Sequence, residues 1–115
     1  KYEPLIDASV SVETIRKASK ETSEYSGIAR TLAILSGGYG DNAKQNAVLA
    51  QSIGDIADST FKKAQNALSK GVTADMYKEF RKVYNSVSPG VGKTERALNA
   101  FGATGTVREA LKELL

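Results

Sequence analysis

The sequence contains no cysteine, no histidine and no tryptophan. Without thiols or imidazoles there is no disulfide, no cysteine nucleophile and no histidine base, and every zinc site built on nitrogen or sulfur ligands is excluded. A metal held by oxygen alone needs gathered carboxylates, yet the acids stand singly, with no D-x-D-x-D-G loop. No catalytic residue, cofactor or metal ligand is therefore assigned, and the chain reads as a non-enzyme. Long apolar runs are lacking too. The best, "IARTLAIL" at 28–35, is eight residues long and contains Arg30, well short of the roughly 20 that cross a bilayer.

Charge of one sign is also scarce. Sixteen basic and thirteen acidic side chains leave a net +3, far below the density of a dedicated nucleic-acid binder. The excess is local: residues 72–93 hold four basic and two acidic residues, and residues 37–71 four and three. Both ends are balanced, with five of each sign in residues 1–36 and three of each in residues 94–115. The chain opens on Lys1 rather than Met, which points to processing from a precursor or to a trimmed start.

The 115 residues fit one domain, 1–115, large enough to bury roughly 60–70% of the surface its unfolded chain exposes. Residues 1–10, with Pro4 and no period, read as an extended N-terminal segment. From Ser11, an N-cap, the positions Ile15, Ala18, Tyr25, Ala29 and Leu32 keep 3–4 spacing with Thr22 filling the seam, which predicts one long helix over 11–36. "SGGYG" ends it, because consecutive glycines each cost a helix about 1 kcal/mol. Asp41 then caps a second long helix over 42–70, with the seam Ala47, Ala50, Gly54, Ala57, Phe61, Ala64, Leu68. Those small side chains predict close antiparallel packing of the two, and a leucine at Ala57 is expected to overpack by about 1–3 kcal/mol.

Gly71 ends that helix and Thr73 begins the next, "TADMYKEFRKVYNSV", with Met76, Phe80, Val83 and Val87 on its core face. Past Pro89, Thr94 caps a short helix through Phe101, and Thr106 with Glu109 forms a capping box for "VREALKELL". No stretch alternates long enough to make a strand. The fold class is therefore all-α: an up-and-down four-helix bundle, its main helices within 11–88 and a glycine-broken extension of short helices over 89–115.

One stretch, "VSPGVGKT" at 87–94, imitates a phosphate-binding loop. That loop needs G-x-x-x-x-G-K-[ST] after a buried strand. Here Val87 takes the first glycine's place, the preceding residues have helical periodicity, and no strand supplies a magnesium-binding Asp. No specific ATP or GTP binding is expected.

Helical geometry gathers Lys78, Arg81 and Lys82 opposite Phe80, Val83 and Val87, with Tyr77 and Tyr84 at the flank. Such a face is a solvated helix surface or, since tyrosine and arginine anchor interfaces, a docking strip for an acidic protein surface. Antiparallel packing across "GVT" would let Lys62 and Lys63 extend the strip. "SGGYGDN", with Tyr39 at its tip, reads as a turn between helices rather than a binding loop.

Residues 55–87, "DIADSTFKKAQNALSKGVTADMYKEFRKVYNSV", pair a helix, a short lysine-bearing break and a tyrosine-rich amphipathic helix. With the processed start and the small Ala- and Lys-rich bundle, this resembles the extrinsic lumenal subunits of photosystem II, most closely the PsbQ-like four-helix family that includes diatom-type forms. The tail from Pro89 onward departs from that family's four helices, so no individual functional residue carries over. The resemblance implies a non-enzymatic subunit in the thylakoid lumen, peripheral to the membrane, which docks on the photosystem II core and helps retain calcium and chloride at the oxygen-evolving centre without binding metal or pigment itself. Two other readings fit the residues: a helical adaptor or assembly protein of viral or bacterial type, and a nucleic-acid-binding bundle.

Overall fold

A computed structural model of the chain describes residues 10–37, 39, 42–54 and 56–115. Among them it is all-helical, with seven helices: α1 (Val12–Glu21), α2 (Gly27–Gly37), α3 (Ala43–Gly54), α4 (Asp58–Ser69), α5 (Ala74–Ser86), α6 (Lys93–Phe101) and α7 (Gly105–Leu114). The molecule is elongated, 45 × 23 × 21 Å. The extended reading of 1–10 and the Asp41 cap lie almost wholly outside the described residues.

Each long helix expected from the seam is two helices. Ser11 does cap α1, its hydroxyl accepting from the Thr14 amide at 3.1 Å. Thr22 closes that helix, donating its hydroxyl to the Ala18 carbonyl at 2.7 Å. The residues Thr22–Ser26 then turn, and α2 restarts at Gly27, whose φ of +53° no β-branched residue adopts comfortably. Serine and threonine offer the backbone side-chain hydrogen bonds in place of helical ones, which is why the break falls in "TSEYSG". The 3–4 spacing runs straight through it and so concealed it.

The second break, after Gly54, is held by Gln51. Its side-chain amide donates to the Ile56 carbonyl at 3.1 Å and to Asp58 Oδ1 at 2.7 Å. Close packing at the small residues is real at one point: a Cβ on Gly54 would sit 2.9 Å from Thr31 Oγ1. Ala57 is not in that seam. It is the exposed N-cap of α4 and has no side chain to fill the role. Replacing it with serine is therefore expected to raise stability by about 0.5–2 kcal/mol, and leucine there should cost little. Thermal denaturation checks this; a lower melting temperature for Ala57→Ser would return the side chain to a buried interface.

Around α2 the other helices assemble: α3, α4 and α5 all pack on it, α7 packs on α4, and α6 on α5. Consecutive α4 and α5 do not run along each other, contrary to the antiparallel expectation. The turn between them is a C-terminal glycine motif, with Gly71 at φ +98° and the Val72 amide donating to the Ala67 carbonyl at 3.0 Å. Thr73, read from the sequence as the start of the next helix, is the N-cap of α5, accepting from the Met76 amide at 3.0 Å.

The C-terminal caps differ from expectation. Gly92, at φ +74°, occupies the N-cap of α6, so Thr94 lies inside the first turn. α7 starts two residues earlier than the Thr106–Glu109 box requires, with Thr104 at its N-cap, and that box is not formed. Neither helix is an appendage, because Ala97, Leu98, Ala110, Leu111 and Leu114 belong to the main core with Leu32, Val72 and Phe80. Glu95 of α6 ties the two together, meeting Arg108 at 2.6 Å and Lys112 at 3.1 Å. These bonds, first that from Lys112, hold its carboxyl below the usual carboxylate range. A smaller cluster gathers Ala18, Ile34, Leu49, Ala50 and Phe61.

Candidate functional site

The break between α1 and α2 leaves an open groove of about 500 Å³ against α5. One wall is the basic face of α5, with Lys78, Arg81 and Lys82; the other comes from Glu24 to Ala29. Three of the four cations in residues 72–93 thus share one concavity. The fourth, Lys93, stands over the Tyr84 ring at 4.4 Å.

Each member is held differently. Lys78 lies 4.3 Å above the Tyr25 ring and only 4.0 Å from Glu24, at the outer limit of an ion pair. Tyr25 is itself fixed by donating its hydroxyl to Asp75 at 2.8 Å. Arg81 stacks on Tyr84 at 5.0 Å, and Lys82 pairs with Glu79 at 3.1 Å one turn back on its own helix. Contacts of cations with ring faces are favourable by about 0.5–1 kcal/mol at exposed sites and hold the charge in place without neutralising it.

The strip read from the sequence is therefore partly regrouped. Lys78, Arg81 and Lys82 do come together, but Tyr77 is not at an accessible flank: it is 8% exposed and packs in the main core. The α5 face turns further than the periodicity places it, so Ala74, Tyr77 and Phe80 are buried while Met76, Val83 and Val87 are half-buried. Tyr84 is half-buried against Phe80, ring centroids 6.3 Å apart. Lys62 and Lys63 are exposed on α4 and line no part of the groove. The groove's second wall, Glu24–Ala29, was missed; the helix-weak run "TSEYSG" was its one signal.

Tyr39 is not a free tip. It is half-buried against the smaller cluster, and a Cβ on Gly37 would collide with its ring. The loop-like stretch at 87–94 follows α5, a helix, as its periodicity predicted, and its Lys93 is engaged with Tyr84. Among the described residues no three acids gather where a metal could sit, and no helix is long and apolar enough to cross a membrane.

Three tyrosines have hydroxyls raised above the usual value of about 10. For Tyr25 the main cause is its hydrogen bond to Asp75; for Tyr39 and Tyr77 it is burial, offset slightly at Tyr77 by Arg81. A raised folded value means that the neutral form is favoured by folding. The associated stability is whole below the unfolded value and is lost as pH rises through the folded ones. Phenolate absorbance should thus rise later in the native protein than in denaturant, with stability falling above pH ~10. Coincident titration curves would refute this.

No protein-family model, curated protein or solved structure matches the chain. The groove and the chemistry of its walls are therefore the basis for function.

Proposed function

We propose that the chain is a non-catalytic helical subunit that docks through the α5 face on an acidic surface of a larger protein complex. The observation that carries this reading is the convergence of Lys78, Arg81 and Lys82 on one wall of an open groove, two of them steadied by aromatic rings. Cations fixed in this way steer an acidic partner and orient it on arrival. The composition supports a binding role over chemistry, since the sequence has neither thiol nor imidazole. The resemblance of residues 55–87 makes the lumenal face of photosystem II the partner to try first, with the thylakoid lumen as the compartment.

The test is rebinding of the purified chain to salt-washed photosystem II membranes across a salt series. Tight rebinding at low salt that weakens as salt rises supports the proposal, because the screening length falls from about 10 Å at 0.1 M to about 3 Å at 1 M. Absence of rebinding removes photosystem II as partner; rebinding indifferent to salt removes the α5 face as the docking surface.

A further inference from the structure

The groove has two unlike walls and an internal acid, which together say more about its occupant than a basic patch does. On the α5 side, Lys78 and Lys82 are four residues apart, a rise of about 6 Å along a helix. Arg81 lies beside them on the same face. Facing them, the stretch from Ser26 to Ala29 presents half-buried Ile28, while Ala29 and Tyr77, both buried in the main core, form the floor beneath it. An extended chain sends successive side chains to opposite sides and repeats each side every ~6.6 Å. Its alternate residues would therefore meet the cations at matching intervals, while those between face the apolar wall.

The groove is open along its length and holds about 500 Å³, room for a few side chains of a segment laid along α5. A lone phosphate would leave the Ile28 side of the groove unused.

Among the described lining residues Glu24 is the remaining charge and the one acid, with Glu79 pairing Lys82 from outside the groove. It sits 4.0 Å from Lys78 with its side chain 70% exposed, whereas Lys78 is 31% exposed and anchored on Tyr25. An exposed pair so long is weak and exchanges readily for another carboxylate.

Building on the docking function above, we infer that the groove between α2 and α5 takes one extended acidic segment of a partner protein, carboxylates toward Lys78, Arg81 and Lys82 and apolar side chains toward Ile28, and that Glu24 is the internal competitor this segment displaces. The groove is then a peptide site with a built-in acidic rival.

The experiment is fluorescence polarisation at low salt with a fluorescein-labelled peptide of alternating aspartate and leucine, and with its asparagine counterpart. The aspartate peptide should bind at least ~10-fold more tightly than the asparagine one. Glu24→Gln should tighten the aspartate peptide by about 3–10-fold and leave the asparagine peptide unchanged, while Arg81→Gln should weaken it by about 10-fold. Lys82→Gln, at an exposed position, repeats the test should Arg81→Gln lose helicity by circular dichroism. Peptide affinity indifferent to Glu24→Gln would overturn the competitor role. Equal binding of the two peptides, or displacement by inorganic phosphate where acetate has no effect, would overturn the acidic segment. Salt-sensitive rebinding to membranes with no peptide binding defeats this inference and spares the docking reading; peptide binding without rebinding does the reverse.

Discussion

Replacing Phe80 with alanine is expected to cost about 3–5 kcal/mol, the largest stability loss of any single side chain considered. Phe80 is fully buried and meets Phe101 edge to face, ring centroids 5.5 Å apart, so it fastens α6 to α5 as well as filling the core. The alanine leaves a cavity in the core that also holds Leu32, Val72 and Leu98, which can close it only in part. For a chain of this length the loss corresponds to a fall in melting temperature of roughly 12–20 °C. Native stability is commonly about 5–15 kcal/mol, so a large share is at stake. Circular dichroism melting decides it. A loss below about 1 kcal/mol would remove Phe80 from the core and undo the orientation of α5 on which the groove depends.

Reversing Lys78, Arg81 and Lys82 to glutamate is expected to slow association with the acidic partner by on the order of 10²-fold and to flatten its salt dependence. The wall passes from three positive to three negative charges, so attraction at a distance becomes repulsion. Lys78→Glu also abandons the Tyr25 ring and faces Glu24, which introduces a local strain of its own. The Arg81→Glu, Lys82→Glu pair avoids that contact and should retain most of the kinetic effect. Surface plasmon resonance separates the rates, after each variant is shown to keep native helicity. An on-rate equal to the parent's at low salt would take the docking surface away from α5.

Legibility followed local chemistry. Ser11, Thr73, Gly71 and the stop at "SGGYG" could be read because a cap or a left-handed turn is decided by two or three neighbouring residues. The all-helical class was readable for a similar reason, since a 3.6-residue period is repeated in every segment. The two interruptions were not readable from the seam: Thr22 and Gly54 keep its phase, and the side chains that hold the breaks, Thr22 on the Ala18 carbonyl and Gln51 on the Ile56 carbonyl, leave no mark on the period. Among site residues, the cations of α5 came from spacing on one helix. Tyr77 was misplaced because α2 and α6 both pack on α5, and that burial is a tertiary fact. The wall from Glu24 to Ala29 exists only because a helix stops there.

The hydrophobic residues form two clusters rather than one, and α2 and α4 are the helices that enter both, α2 through Leu32 and Ile34, α4 through Ala64 and Phe61. α1 and α3 contribute buried side chains to the smaller cluster alone. Swinging them away exposes five buried apolar residues and leaves Phe80, Leu98 and Leu111 enclosed. The protein is thus built to open in stages, and its amide protons should exchange on two levels: α1 and α3 through a partial opening, α5 to α7 only when the whole chain unfolds. An occupant of the groove touches α2 and α5, elements of the slower-exchanging part, so binding is expected to raise the upper level of protection and leave the α1 and α3 amides exchanging nearly as before.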